Sequence, residues 1–365
     1  MKRFLALSMI AMTSIGMVAC GSENATLTND EAVESTTETN TEEINTTDTS
    51  ETSETSGIDN SYAEDTDALV EQYADQFEQV EYTDDETGLT ITYNVFLPEG
   101  YDESQEYPMV VFIGDSSCAG TDATYSLTQG RGALVWAADE WQEENPTIVI
   151  VPTYPETILD DHGSYTTTEY VEMTKNFIED MEETYAVDTN RVYGTGQSMG
   201  CMTTLILATE YPDLYTACMF VDGQWDISTL SNLEDLTFVY FAAEDDTNAY
   251  NGIQEVMAMF DEDGANYEYA QWDGTWTPDE LTEASAALFN SDTNAYFVSW
   301  ETGTIEPKTG AGTGGSDDAM AQFGKPGKDS SSEEASIDSS AYHMASFDYA
   351  YRCISAMEWL FSQSK

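Results

Sequence analysis

The amino-acid sequence predicts an α/β fold, with a mostly parallel, doubly wound sheet and helices on both of its faces. From Gly88 onward, segments with strand patterns alternate with segments of helical spacing, and several of the strands are short, continuous apolar runs. Such runs are typical of parallel strands buried on both faces, and the alternation is typical of sheets built from crossover connections. A third observation is that Ser198, flanked by glycines, stands between one of these strands and a helix.

The first predicted elements lie before residue 155. DALVEQYADQFEQV has apolar residues at helical spacing. LTITYNVFLP alternates as a half-exposed antiparallel strand does, and YPMVVFIGD is a buried strand. ALVWAADEWQEE then predicts a helix, and TIVIVPTYP predicts a second buried strand. This part of the chain therefore contains the first strand–helix–strand unit.

The second half of the chain continues the alternation. In chain order it predicts a helix in YVEMTKNFIEDMEETY, a strand in RVYGTGQ, a helix from about Met199 to Glu210, strands in YTACMFVDG and TFVYFAAEDD, a helix in GIQEVMAMFDEDG, a strand in YEYAQWDG, a further helix, a strand in AYFVSWET and a C-terminal helix in FDYAYRCISAMEWLFSQ. Residues 303–341, rich in Gly, Ser and Asp, predict a flexible loop before the last elements.

The first 20 residues predict a lipoprotein signal peptide. Lys2 and Arg3 precede an apolar run that is too short to span a bilayer comfortably, and the run ends in MVAC. This ending resembles the lipobox of bacterial lipoproteins, in which the cysteine is lipidated, so Cys20 is the predicted lipidation site. An ordinary secretory signal and an uncleaved anchor are the alternatives. We therefore expect an exported protein attached by lipid to the outer face of the bacterial cell membrane.

Residues 21–62 predict a disordered, acidic tether. They consist mainly of Thr, Ser, Glu and Asn and offer almost nothing to bury, which is the composition of a chain extended by its own charge. The folded domain is then expected to span residues 63–365.

The charge of the chain excludes one class of partner. The chain has 70 acidic and 10 basic residues, a formal net charge of −60, and no Lys or Arg between Arg3 and Arg131. Nucleic-acid binding depends on basic residues that neutralise phosphates, so we expect no nucleic-acid partner.

Four cysteines remain besides Cys20, namely Cys118, Cys201, Cys218 and Cys353. Their even number permits disulfides, but buried free thiols are equally compatible with their surroundings. The chain has no CxxC motif and no Cys/His cluster, so we expect no metal, and we expect no cofactor.

The stretch GTGQSMG predicts a nucleophile at Ser198. Glycines at positions −2 and +2, Gly196 and Gly200, let the backbone pass closely on both sides while the serine takes a strained turn between strand and helix. The turn would expose the hydroxyl at the carboxyl edge of the sheet, near the positive end of the following helix. A structural serine in a glycine-rich turn is the alternative.

A serine nucleophile needs a base, and the chain has only two histidines, His162 and His343. In triads built on such a turn the chain order is Ser, then Asp or Glu, then His, which favours His343. The segment EDDTNAY offers the acid, for which we prefer Asp246, with Asp245 as the alternative. His162 is either an ordinary loop histidine, which its position favours, or a substrate contact.

Three segments carry a resemblance to a known family. From about Gly88 to the end, LPEGYDESQEYPMVVFIGD, VDTNRVYGTGQSMG and the EDD and HM segments resemble α/β-hydrolase serine esterases and peptidases, in particular the secreted feruloyl or acetyl-xylan esterase-like and prolyl-oligopeptidase-like bacterial group. The resemblance implies the α/β-hydrolase fold and a carboxylesterase that removes acyl groups from polysaccharides or small esters. A serine peptidase and a non-catalytic ligand-binding lipoprotein are the alternatives.

One segment departs from the family pattern. Those hydrolases usually have HG after the strand that supplies the oxyanion hole, whereas this chain has Gly114 and Asp115 in IGDSS. Backbone N–H groups bind the oxyanion, so the predicted donors are Met199 and an N–H of Asp115 or Ser116. The Asp115 carboxylate would oppose the developing charge unless it points away. The candidates for the substrate pocket are Gln197, His162 and Trp225, which could form the wall of an aromatic or sugar-binding pocket. Packing in the core is the alternative for Trp225.

Overall fold

The computed structural model describes residues 58–161, 163–308 and 339–365. The predicted signal peptide with Cys20, most of the predicted tether, His162 and most of the predicted loop therefore lie outside the described residues.

Within the described residues, nine strands form one sheet in the order β1-β2-β4-β3-β7-β8-β9-β11-β10. Strand β2 pairs antiparallel with β1 on one side and with β4 on the other, and all other neighbouring strands of this sheet pair parallel. Strands β5 and β6 form a separate small hairpin. The strands are β1 (Glu78–Thr83), β2 (Thr90–Phe96), β3 (Tyr107–Ile113), β4 (Ile148–Thr153), β5 (Leu159–Asp160), β6 (Thr166–Thr167), β7 (Val187–Gln197), β8 (Ala217–Val221), β9 (Phe238–Ala243), β10 (Glu268–Trp272) and β11 (Ala295–Trp300).

Helices cover both faces of the sheet. The α-helices are α1 (Thr66–Tyr73), α2 (Tyr125–Thr128), α3 (Asp139–Glu144), α4 (Glu169–Thr184), α5 (Met199–Glu210), α6 (Thr247–Asp263), α7 (Pro278–Leu288), α8 (Ser339–Tyr351) and α9 (Ile354–Phe361). Side chains alternate along each strand, so that on β9 Val239 and Phe241 join the core layer of α1, α7, α8 and α9, whereas Phe238 and Tyr240 join that of α4, α5 and α6. The predicted mostly parallel sheet with helices on both faces is confirmed.

Two predicted helices are shorter than their sequence patterns suggest. The first ends at Tyr73, and Glu78–Thr83 instead forms edge strand β1, because its backbone pairs with β2 along the whole strand. The second is interrupted at Ala138, whose extended backbone (ψ 143°) separates a short 3-10 turn from α3. In both places tertiary pairing and packing override local helical preference.

The last residues of the predicted tether, 58–62, contact the domain in the structure. Ile58 is buried in the core layer that contains α1, and the Tyr62 hydroxyl donates to the carbonyl oxygen of Val135 at 3.1 Å. These aromatic and aliphatic side chains belong to the domain although they follow directly on a polar stretch.

The C-terminal segment contains two helices instead of one. Cys353 leaves helical geometry (ψ 72°) and separates α8 from α9. Helix α8 begins at Ser339, so the last residues of the predicted loop are helical and His343 lies within α8 instead of before the final helix.

The four cysteines of the described residues are free thiols, and all four are buried. None of the helices in the part of the chain that the structure describes is both long and apolar enough to cross a membrane.

Candidate active site

Ser198 stands in a strained turn at the carboxyl edge of the sheet. Strand β7 ends at Gln197 and α5 begins at Met199, which leaves Ser198 alone between them with φ 52° and ψ −116°. A positive φ is rare for a residue with a Cβ and persists only where the surroundings enforce it. Its N–H donates to the carbonyl oxygen of Val221 at the end of β8, at 3.1 Å. The turn is therefore held from the neighbouring strand.

Close packing requires both glycines that flank Ser198. A Cβ on Gly200 would lie 1.8 Å from the carbonyl oxygen of Ile113, and a Cβ on Gly196 would lie 2.5 Å from the carbonyl carbon of Gly200. These contacts are with backbone atoms, which cannot rotate away. The glycines thus bring the first turn of α5 against the end of β3, beside the segment that begins at Gly114.

Three side chains form one hydrogen-bonded row. The Ser198 Oγ lies 2.8 Å from His343 Nε2, and His343 Nδ1 lies 2.5 Å from Asp246 Oδ2. With the proton on Nδ1, the imidazole donates to the carboxylate and accepts from the serine hydroxyl. Asp246 is the N-cap of α6, and its other carboxylate oxygen faces the Ala249 N–H at 3.5 Å. The row joins the ends of β7 and β9 to helix α8.

The three consecutive carboxylates after β9 have different partners. Asp245 accepts the backbone N–H of Gly303 at 2.7 Å, and Glu244 accepts the N–H and hydroxyl of Thr302 at 3.0 and 2.9 Å. Both hold the turn after β11, so Asp246 is the one whose carboxylate contacts His343. The carboxylate preferred from the sequence is the one that the structure brings to the histidine.

Charge dominates the proton affinity of His343. Burial lowers the pKa of the imidazole, but the adjacent Asp246 carboxylate, which also accepts its hydrogen bond, raises it. The charges of Asp222 and Asp115 add to this effect, and the pKa of His343 rises from 6.5 to about 9. The imidazolium therefore prevails below a pH of about 9, and the neutral ring that accepts from the serine hydroxyl prevails above it.

The Asp115 carboxylate is held by two donors. It caps a short 3-10 turn by accepting the Ser117 N–H at 2.8 Å, and it accepts the Gln197 side-chain amide at 3.0 Å. The same amide nitrogen contacts Gln129 Oε1 at 2.5 Å. Gln197, predicted as a pocket residue, is only 1% exposed and binds the loop after β3 to the end of β7.

The other predicted site residues lie as follows. Met199 is the first residue of α5, where backbone N–H groups have no partner within the helix. Ser116 begins the short turn capped by Asp115. Trp225 is buried, and its ring meets the edge of Tyr165 at a centroid distance of 5.2 Å. His162 lies outside the described residues.

Sequence reasoning missed Asp222. This residue follows β8 directly, has a φ of 47° and is fully buried. Burial, reinforced by the charge of Asp246, raises the pKa of its carboxyl from 3.8 to about 7, although His343 lowers it. The signal in the sequence is an aspartate at the end of a buried strand beside the strand that carries Ser198.

Comparison with known proteins identifies a family. A profile of the family described as "Putative esterase" matches residues 85–277, more than half of the chain. Among solved structures, a thermostable esterase is similar, with a TM-score of 0.58 and 23% identity over 80% of this chain and 64% of that one, so the chain spans slightly less than two thirds of its length. This likeness supports the α/β-hydrolase fold.

More distant structures are also similar. A mutant feruloyl esterase module from Clostridium thermocellum complexed with sinapinate has a TM-score of 0.42 and 16% identity over 65% of this chain and 86% of that one. Dipeptidyl peptidase 4 from Porphyromonas gingivalis has a TM-score of 0.36 and 11% identity over 52% and 31%. A search of curated proteins found no match.

We expect Gly200→Ala to destabilise the domain by more than about 3 kcal/mol, because the new Cβ overlaps the Ile113 carbonyl and forces β3 and α5 apart. Urea denaturation followed by tryptophan fluorescence measures the change. Gly264→Ala is the control: its φ of 73° strains any residue with a Cβ, but nothing lies within 4 Å of the added Cβ, so it should lose only about 1 kcal/mol. Equal losses in the two variants would contradict the role assigned to the contact.

We expect the His343 imidazole to titrate near pH 9, because the neighbouring carboxylates stabilise its charged form. NMR of 15N-histidine-labelled protein measures the titration, and His162→Gln leaves a single imidazole to observe. Asp246→Asn removes the nearest negative charge and should lower this pKa. A titration at or below 6.5 in the protein with Asp246 intact would contradict this prediction.

Proposed function

We propose that this chain, which belongs to the family described as putative esterases and has the α/β-hydrolase fold, is a carboxylic ester hydrolase. In this proposal Ser198 is the nucleophile, His343 the base and Asp246 the orienting acid. The observation that carries this proposal is the hydrogen-bonded row from Ser198 Oγ through both ring nitrogens of His343 to Asp246. Each member has the partner that its role requires.

The reaction proceeds in two halves. His343 Nε2 takes the proton of Ser198 Oγ as the oxygen attacks the ester carbonyl, and Asp246 stabilises the imidazolium. Collapse of the tetrahedral intermediate transfers the proton from Nε2 to the leaving alcohol and leaves an acyl group on Ser198. A water then attacks the acyl-enzyme, again with His343 as base, and releases the carboxylic acid.

The developing oxyanion requires N–H donors beside Ser198. We assign them to the backbone of Met199 and of Asp115 or Ser116, because the contact at Gly200 brings the start of α5 against the end of β3. The Asp115 carboxylate accepts Ser117 N–H and the Gln197 amide, which supports a side chain turned toward these donors instead of toward the oxyanion.

We further propose that the enzyme acts outside the cell on neutral acylated substrates, such as acyl groups of polysaccharides or small esters. A formal net charge of −60 disfavours polyanionic substrates. The MVAC ending of the N-terminal apolar run supports export and attachment to the membrane through Cys20.

We expect the protein to hydrolyse p-nitrophenyl acetate and methyl ferulate and to be labelled at Ser198 by a fluorophosphonate. Ser198→Ala removes the attacking oxygen and should abolish labelling and lower kcat by at least about 10³-fold. Asp246→Asn leaves His343 without the charge that stabilises the imidazolium, and kcat should again fall by at least about 10³-fold.

Asp245→Asn is the matched control, because its carboxylate contacts Gly303 and not His343. It should retain activity within a few-fold of wild type. Esters and a peptide panel are assayed side by side: cleavage of peptides alone would indicate a peptidase. Absence of activity above Ser198→Ala together with absence of labelling would overturn the catalytic proposal in favour of a ligand-binding protein.

We expect Cys20→Ser to release the protein from the membrane fraction of the bacterium that expresses it, because lipidation requires the thiol. Fractionation and metabolic labelling with an alkyne fatty acid measure the effect. Cys118→Ser, a change at a buried thiol of the domain, should leave labelling intact. Retention of unlabelled Cys20→Ser protein in the membrane would indicate an uncleaved anchor.

A further inference from the structure

Asp222 and the residue before it are hydrogen-bonded to three separate segments of the site. Its Oδ1 accepts the N–H of Ala243 at 2.9 Å, and its Oδ2 accepts the hydroxyl of Ser346 at 2.6 Å. The preceding residue, Val221, accepts the N–H of Ser198 through its carbonyl oxygen. A buried carboxylate is costly unless its oxygens are hydrogen-bonded, and here both are.

Each of these contacts leads to one member of the hydrogen-bonded row. The carbonyl oxygen of Ala243 accepts the Asp246 N–H at 3.0 Å, so the same residue links Asp222 and Asp246. Ser346 lies one turn after His343 in α8, and its Oγ is 2.9 Å from the His343 carbonyl oxygen. A shift of the Asp222 carboxylate would therefore change the relative positions of the acid, the base and the nucleophile.

We propose that Asp222 is a positioning residue of the ester hydrolysis. Its carboxylate fixes the positions of the turn that carries Asp246 and of the helix that carries His343 relative to Ser198. Its negative charge helps to stabilise the imidazolium. The proposal rests on the proposed function. Asp222 acts through Ala243 and Ser346 and through its field, without touching the substrate.

The charges around the two groups decide the direction of the effect. His343 faces Asp246 after β9, Asp222 after β8 and Asp115 after β3, all of which favour its charged form. Asp222 in turn faces Asp246 and His343, and it also interacts with three buried groups whose own pKa values burial raises; these are Cys201 on α5, Tyr240 on β9 and Tyr351 on α8. Neutralising Asp222 removes one of the three negative charges at the imidazole.

Backbone geometry favours asparagine as the test substitution. Asp222 adopts φ 47°, a region that asparagine tolerates better than most residues with a Cβ. Asparagine also keeps the shape of the side chain and an oxygen that can accept the Ala243 N–H. Asp222→Asn therefore removes the charge with the least change of conformation.

The experiment compares three variants with wild type by kcat per titrated active site, KM and the pH dependence of kcat/KM on p-nitrophenyl acetate. For Asp222→Asn we expect kcat to fall about tenfold at little-changed KM. The acid limb should move to lower pH by about one unit, because a base with a lower pKa loses its proton earlier. For Ser346→Ala we expect a several-fold fall in kcat with the limb unmoved, since the charge stays.

Asp84→Asn is the matched control. Asp84 is a buried, hydrogen-bonded carboxylate after edge strand β1, bonded to Thr87 and Asn176. Its substitution should leave both kcat and the pH profile as in wild type.

The outcomes distinguish the positioning role of Asp222 from the proposed ester hydrolysis. A wild-type kcat and an unmoved acid limb in Asp222→Asn would overturn the positioning role while leaving the esterase intact. If Asp222→Asn does not fold, Ser346→Ala decides: unchanged kcat per titrated site overturns the role, and a lowered kcat at constant KM supports it. A wild-type protein without esterase activity fails the proposed function instead, and NMR titration of His343 in Asp222→Asn then tests the field of Asp222 by itself.

Discussion

At Gly200 the first turn of α5 meets the end of β3 so closely that a single added carbon would lie 1.8 Å from the Ile113 carbonyl oxygen. The position of the site depends on this contact. The absence of a side chain at Gly200 lets the start of α5 pack directly against the end of β3. Together with Gly196, it permits the sharp turn in which Ser198 has a positive φ. The serine hydroxyl and the backbone N–H groups assigned to the oxyanion are consequently placed by two rigid elements instead of by flexible loops.

Around His343 the structure balances burial against charge. A buried imidazole alone would resist protonation, but Asp246, Asp222 and Asp115 converge on it and reverse the balance. The raised pKa makes the imidazole a stronger base, but only its neutral form accepts the serine proton, and that form predominates above a pH of about 9. Acidic side chains therefore occur in the interior of the protein as well as on its surface, and each of these three buried carboxylates accepts a hydrogen bond from a specific donor.

Local pattern predicted the parts of the protein that local chemistry determines. The strand, serine and helix around Ser198 follow from consecutive residues, whereas the choice among Glu244, Asp245 and Asp246 depends on which carboxylate caps α6 and faces His343. Asp222 was missed because its partners, Ala243 and Ser346, are distant in sequence and meet only when β8, β9 and α8 assemble. The helix predicted through residue 80 ends earlier because β2 pairs with the last three residues of the predicted segment. His343 itself lies beyond the residues that the family profile matches, so its assignment depends on chain order and on the observed hydrogen bonds.

The four buried free thiols bear on where and how this domain can be produced. The described part contains no disulfide, so its native structure forms without an oxidant or a disulfide isomerase. Burial also raises the pKa of the Cys201 thiol, three residues from Ser198, which keeps it protonated and unreactive toward electrophiles while the domain is folded. Alkylation of these thiols therefore reports unfolding, and its rate measures the kinetic stability of the domain.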